Sequence, residues 1–294
     1  MESGISEEGA RVSVVVATRD RREELGRTLE RLTACRPRPP VIVVDNASSD
    51  GTGAFVRSQF PDVRVVTLPE NRGCAARNVG VALVDTPYVA FSDDDSWWAD
   101  GALELAADAF DAYPRLGLVA ASTLVGDSGR PDPINEQLAE GLPAAGPGLP
   151  GPRVLGFLAC AAVLRTEAFT SVGGFSDLLF FVGEEALLAQ DLAAAGWALC
   201  HLPEIVAHHH PSDRRPPGPW RRRLEMRNTV LAHWMRRPVG RAVRETVRLA
   251  GTAPAAPEAR AALRDVLRDT PRAVLQRRRL PARVEQDLRV LEGA

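Results

Sequence analysis

A continuous β-branched run, Val12 to Val16, is followed by Leu25, Leu29 and Leu32 at helical spacing and then by a second apolar run, Val41 to Val44. The unit recurs: Val63 to Leu68 leads through the helical stretch Ala75 to Val84 into Tyr88 to Phe91. Strands that are apolar at every position are buried on both faces, and their alternation with helices predicts a parallel sheet joined by right-handed crossovers. In such a sheet the carboxyl ends of the strands open onto one crevice, where ligands bind. A helix over Ala99 to Tyr113 and a strand over Leu116 to Thr123 continue the pattern. The Pro- and Gly-rich segment Asp127 to Arg153 then interrupts it, and we expect a mobile loop there, either a lid or a plain surface excursion. A strand over Val154 to Arg165, a helix over Glu184 to Ala195 and a strand over Trp197 to Ala207 complete the sheet region. From Pro219 onward the pattern is helical.

With 294 residues and 45% apolar composition the chain can bury a full α/β core. The formal charge of −2 argues against a general nucleic-acid binder. That balance hides an asymmetry, because residues 214 to 294 carry 20 Arg against 8 Asp and Glu. All 36 basic residues are Arg, so chemistry that needs a Lys amine is excluded. Cys35, Cys74, Cys160 and Cys200 lack the paired spacing of a zinc or redox motif and read as buried thiols of a reducing compartment. The polar N-terminus and the shortness of every apolar run point to a soluble cytoplasmic protein. For the Arg-rich tail, packing on the main body is the default, with peripheral contact to anionic lipid and dimer formation as alternatives.

Four polar clusters fall at the carboxyl ends of the strands. Thr18 and Arg19 follow the first; Asp45, Asn46 and Ser48 to Thr52 follow the second; Asn71, Arg72 and Gly73, with Arg77, follow the third. Asp93, Asp94 and Asp95 follow the fourth. Carboxylates at a sheet edge suit a divalent cation carrying phosphate, and in an extended segment Asp93 and Asp95 face the same side. Asp45 offers acceptors to a base or ribose, and Arg77 offers a fork to phosphate oxygens. Each cluster alone reads as well as a turn, a cap or a surface ion pair; four at successive strand ends favour one shared site. The first loop rejects a dinucleotide dehydrogenase, which wants G-x-G-x-x-G, and a sugar-phosphate nucleotidyltransferase, which wants a Gly-rich loop and a Lys.

The segments Val14-Val15-Val16-Ala17-Thr18-Arg19, Val43-Val44-Asp45-Asn46-Ala47-Ser48-Ser49-Asp50-Gly51-Thr52, Asn71-Arg72-Gly73 through Gly80, and Phe91-Ser92-Asp93-Asp94-Asp95 resemble the family 2 glycosyltransferases, over residues 11 to 235. The resemblance implies a GT-A fold: a mostly parallel central sheet flanked by helices, here with a helical C-terminal extension. It implies residues 11–98 as the nucleotide-sugar half, 99–213 as the acceptor half and 214–294 as the extension. It further implies a nucleotide-sugar donor, Mn²⁺ or Mg²⁺ on Asp93 and Asp95, inversion at the anomeric carbon, and a nucleoside contact at Asp45. Gly173-Gly174-Phe175 followed by Gly183-Glu184-Glu185 is similar to the family's acceptor-side segment. Glu185 then stands where the general base is usually Asp, with Glu184 as the alternative. Of His208, His209 and His210, the resemblance favours His208 as a further metal ligand. Arg227 and Asn228, on the next helix, either approach the diphosphate or serve packing or surface solvation. A catalytically silent nucleotide-sugar-binding or scaffold protein is the competing expectation.

Overall fold

Val14 and Val16 face one side of the first strand and Val15 the other, and that alternation sets up two apolar layers on one sheet. The computed structural model describes residues 9–143, 148–212 and 218–293. Its first half runs β1 (Val12–Thr18), α1 (Arg22–Ala34), β2 (Val41–Asp45), α2 (Thr52–Gln59), β3 (Arg64–Thr67), α3 (Ala76–Val81) and β4 (Tyr88–Ser92). Then come β5 (Ser96–Trp98), α4 (Ala102–Ala112), β6 (Leu116–Val125), β7 (Arg130–Pro131), α5 (Ile134–Glu140), β8 (Ala162–Arg165), α6 (Thr166–Val172), α7 (Glu184–Ala194) and β9 (Ala198–His209). The tail forms α8 (Gly218–Arg236), α9 (Val239–Thr252), α10 (Pro257–Leu275) and α11 (Ala282–Leu291).

The strands form one mixed sheet in the order β3-β2-β1-β4-β8-β6-β9-β5, with β7 on β6. The first four are parallel, as the alternation predicts, and β8 is antiparallel to both its neighbours. One face carries Leu25, Leu29 and Leu32 of α1 and Leu103, Ala106 and Phe110 of α4. The other carries Ala76 and Val81 of α3, Phe169 of α6 and Leu188 and Leu192 of α7.

Two expectations are corrected. The segment 127–153 is not loop throughout, because Ile134–Glu140 is helical: Asp132 accepts the N–H of Ile134 at 2.9 Å, and Asn135 bonds both N–H and C=O of Thr123. Residues 144–147 of that segment lie outside the described residues. The strand expected over Val154 to Arg165 is confined to Ala162–Arg165, preceded by a short 3₁₀ turn at Ala159–Ala161; apolar character before it is spent on packing rather than pairing.

The Arg-rich tail packs on the main body. Leu231 and Met235 of α8 meet Leu178, Leu179 and Leu187, and Val284 and Leu288 of α11 meet Leu142 and Leu155. Its buried guanidiniums are paired: Arg227 with Asp269, Arg236 with Asp191 and Arg237 with Glu285. A buried pair of this kind is costly only when one partner is missing. Among the described residues no helix is long and apolar enough to cross a membrane.

Candidate active site

A cleft of about 870 Å³ opens at the carboxyl ends of β1, β2 and β4 and is closed on its far side by the turn before α7 and the start of α8. Thr18, Arg19, Asn71, Arg77, Asp93, Asp94, Asp95, Glu184 and Glu185 all line it, so residues from both halves of the sequence converge.

The aspartates are not extended. The chain turns after Ser92: Ser96 Oγ accepts the Asp93 N–H at 2.7 Å, and Ser96 N–H bonds back to the Asp93 carbonyl at 3.2 Å. The period-2 argument therefore does not apply to the triplet. Asp94 and Asp95 share Arg21, whose Nη1 lies 2.9 Å from Asp94 Oδ1 and 3.4 Å from Asp95 Oδ2, while Asp93 pairs with Arg77. Thr18 Oγ1 donates to Asp94 at 3.0 Å. Burial, reinforced by the charges of Asp95 and Asp93, outweighs Arg21 and lifts the Asp94 carboxyl to about 7. Burial also opposes ionisation of Asp95, but hydrogen bonds from His209 and the Ser212 N–H prevail and hold it below the usual carboxylate range. Burial disfavours the charged Arg77, yet Asp93, Glu184 and Glu185 more than compensate and raise it.

The two glutamates open α7 directly after Val182 and Gly183, both in the left-handed region with φ of 72° and 86°. Gly adopts this freely; a β-branched Val does so only where its surroundings impose it. Glu184 is 4% exposed and its Oε2 has no partner among the described residues, whereas Glu185 has the more solvent-exposed side chain. Burial raises both carboxyls, and the charge of Glu185 adds to the rise at Glu184. A carboxylate with a raised pKa is a better proton acceptor.

Three assignments change. His208 does not reach the aspartates: it pairs with Trp97 across β5 and β9 and its ring stacks on that indole. His209 lines the cleft instead, its Nε2 3.4 Å from Asp95 Oδ1. The cause is an irregularity in β9, where the partner of Ala121 is Leu202 but that of Ser122 is Val206. Three extra residues, an odd number, exchange the faces of everything downstream. Asp45, expected at the nucleoside, is 2% exposed and accepts the Ser48 N–H at 3.0 Å; Asn46 supplies the cleft lining at this strand end and ties Arg72 N–H and Gly73 C=O. Arg227 and Asn228 are buried and do not line the cleft.

Among the described residues, no three His, Cys, Asp or Glu side chains gather as a metal cage. The expected set Asp93, Asp95 and His208 is thus not assembled, since His208 faces away and Asp93 is held by Arg77. Asp95 with His209 still offers a carboxylate and an imidazole side by side, and the carboxylate suits Mn²⁺ or Mg²⁺ completed by substrate phosphates.

Asn46 and His209, each named in the sequence beside the residue preferred there, line the cleft in place of Asp45 and His208, while Arg21 and Trp220 are among the lining residues not singled out. Arg21 sits at a strand end beside residues that are singled out, so position along the strand was an available signal. Trp220, stacked on Phe181 at 5.7 Å in the second half of the cleft, comes from α8 and carries no local signal.

The sequence profile described as Glycosyl transferase family 2 matches residues 13–173. The chain is 27% identical over 233 residues to the N-acetylglucosaminyl-diphospho-decaprenol L-rhamnosyltransferase of Mycobacterium tuberculosis, covering 67% of this chain and 75% of that protein. It is 33% identical over 217 residues to the pre-mycofactocin glycosyltransferase of the same organism, covering 69% of this chain and 44% of that one. Among solved structures, S. aureus TarS in complex with UDP-GlcNAc superposes with a TM-score of 0.63 at 18% identity over 94% of this chain and 83% of that chain. A mannosyltransferase from Pyrobaculum calidifontis in complex with GDP-Man and Mn²⁺ gives 0.59 at 21% identity over 97% of this chain and 75% of that chain. At such identities these likenesses bear on the fold, which is GT-A.

Proposed function

Since this chain belongs to glycosyl transferase family 2 and is a glycosyltransferase working from nucleotide-sugar donors, we propose that it transfers the sugar with inversion, using the cleft described above. The observation that carries this reading is the convergence of the Asp93–Asp95 turn, Arg77 and the Glu184–Glu185 pair on one cleft although they come from distant parts of the chain. The donor half is residues 11–98, the acceptor half 99–213, and the helices beyond 214 are an extension that braces the second.

Glu185, the more accessible of the two glutamates, takes the proton of the acceptor hydroxyl as its oxygen bonds to the anomeric carbon and the nucleotide diphosphate leaves on the opposite face. Burial and the charge of Asp93 keep Glu185 basic, and the charge of Glu185 in turn raises Glu184. Arg77, Arg21 and Arg19 line the region in which the departing diphosphate accumulates charge, and fixed guanidiniums there lower the barrier without reorganising. Asp95 and His209 are the residues that would hold Mn²⁺ or Mg²⁺; when bound, such an ion would supply further neutralisation of the leaving group. A cell-surface glycan or a specialised metabolite is the acceptor class in keeping with the two mycobacterial relatives. The stripe Val239, Val243 and Val247 on α9, exposed by 54%, 45% and 64%, with Arg244 on the same helix, supports peripheral contact with an anionic bilayer.

Incubation of the protein with UDP-, GDP- and dTDP-sugars and Mn²⁺ tests the proposal. Slow release of nucleoside diphosphate from one donor class is expected, and Asp95→Asn should abolish it with the fold retained. A melting-temperature rise with a nucleotide sugar but no release, in the presence and absence of acceptor extracts, would identify a silent binder instead.

A further inference from the structure

The carbonyls of the turn that launches α7 are held by side chains of the C-terminal extension. Asn228 of α8, 1% exposed, donates both amide hydrogens to consecutive carbonyls, Phe181 O at 2.8 Å and Val182 O at 2.6 Å. Its Oδ1 accepts from Arg227 Nη1 at 2.5 Å, and the same guanidinium donates to Leu178 O at 3.1 Å. Guanidinium nitrogens only donate and backbone carbonyls only accept, so the amide has one orientation that satisfies all of its neighbours. Arg227 is anchored in turn by Asp269 of α10, with Nε and Nη2 at 3.1 and 2.6 Å. On the opposite side, Phe180 O accepts the Cys74 N–H at 2.9 Å, which ties the turn to the strand-end region that holds Asn71 and Arg77.

These contacts surround a place where the backbone resists its conformation. Val182 is a β-branched residue at a φ of 72°, and such a residue stays there only when the surroundings over-determine it. Relaxation of Val182 would rotate the peptide plane that precedes Gly183 and swing the start of α7, where Glu184 and Glu185 project into the cleft. A Cβ placed on Gly183 would lie 3.8 Å from the Asn228 Cβ, so the same side chain stands next to this turn.

We infer that Asn228 is a positioning residue for transfer: through its two hydrogen bonds the C-terminal extension sets the geometry of the Glu184–Glu185 turn. This rests on the reading of that pair as the base. Packing alone would make Asn228 matter to stability and to nothing else; positioning makes it matter to turnover at temperatures where the protein is fully folded.

The test compares the full chain with Asn228→Asp, which keeps the shape but cannot donate, and with Asn228→Ser, whose smaller side chain admits water to the two carbonyls should the first variant fail to fold. The donor is whichever UDP-, GDP- or dTDP-sugar yields nucleoside diphosphate with Mn²⁺. A positioning role predicts at least a tenfold fall in kcat well below the melting temperature, a KM for that donor within twofold, and at least tenfold faster hydrogen exchange at the amides of residues 183–187 with little change elsewhere. A folded variant with kcat within twofold of the unmodified chain overturns the inference. Glu184→Gln and Glu185→Gln, run in parallel, separate the two levels: loss of turnover in either, but not in the Asn228 variants, sinks the positioning role alone, whereas full turnover in both sinks the base assignment and this inference with it.

Discussion

Gly73 and Gly101 both occupy the left-handed region, at φ of 57° and 75°, yet a side chain at each meets different surroundings. A Cβ on Gly101 finds nothing within 4 Å. On Gly73 it falls 2.0 Å from the carbonyl oxygen of Phe180 and 2.7 Å from that residue's ring. Ordinary contact begins near 3.4 Å, so Gly73→Ala forces the Phe180 backbone back by roughly 1.4 Å. Both alanines bear the left-handed penalty of about 1–2 kcal/mol. Only Gly73→Ala also loses the Cys74–Phe180 hydrogen bond, about 1 kcal/mol, and displaces packed atoms, about 1–3 kcal/mol. For a chain of this size each kcal/mol moves Tm by about 2–4 °C. Gly101→Ala should therefore lower Tm by about 4 °C and Gly73→Ala by about 10 °C or more. Because Phe180 joins the strand-end side of the cleft to the turn before the glutamates, Gly73→Ala should also lose nucleoside diphosphate release at temperatures where it remains folded. Melts followed by tryptophan fluorescence and the release assay decide the matter. Equal Tm losses in the two variants, within about 2 °C, would refute the argument that the Gly73–Phe180 contact holds the cleft walls together.

Two further outcomes follow from the structure. His209→Ala should raise the Mn²⁺ concentration for half-maximal turnover about tenfold or more, as loss of a ligand or its partner commonly does, while His208→Ala leaves it within about twofold and lowers Tm through the lost stack on Trp97; the reverse pattern would restore the assignment of His208. Asp269 is pulled down to about 2, chiefly by hydrogen bonds from Arg268 and, against the opposing effect of burial, from Arg227. A lowered folded-state value contributes stability above the ordinary carboxylate range that is lost as pH falls towards 2, here about 2 kcal/mol at 1.36 kcal/mol per pKa unit. Asp269→Asn should then destabilise strongly at pH 7, since Arg227 is left buried without its partner, and the gap from the unmodified protein should narrow by about 2 kcal/mol as denaturation is measured at progressively lower pH through the carboxylate range; a gap independent of pH would contradict the assignment.

What the sequence determined by itself is the order of the elements and the edge at which the site lies. Val14, Val15 and Val16 alternate between two layers because side chains alternate along any strand, and Thr18, Asn71 and the Asp triplet end up in one cleft because parallel strands bring their carboxyl ends together. Both rules act over a few residues and need no knowledge of distant partners. The tertiary structure alone decided which histidine approaches Asp95, since an odd irregularity in β9 reverses the faces after Leu202, and a periodic reading cannot foresee an insertion stabilised by pairing with a remote strand. It likewise decided that Asp95 is held by Ser212, 117 positions away, that Trp220 enters the cleft, and that Asn228 belongs to the turn before α7 rather than to the diphosphate. Hydrogen bonds of that reach depend on how helices from the tail settle against the sheet, and that is a property of packing, which no local pattern encodes.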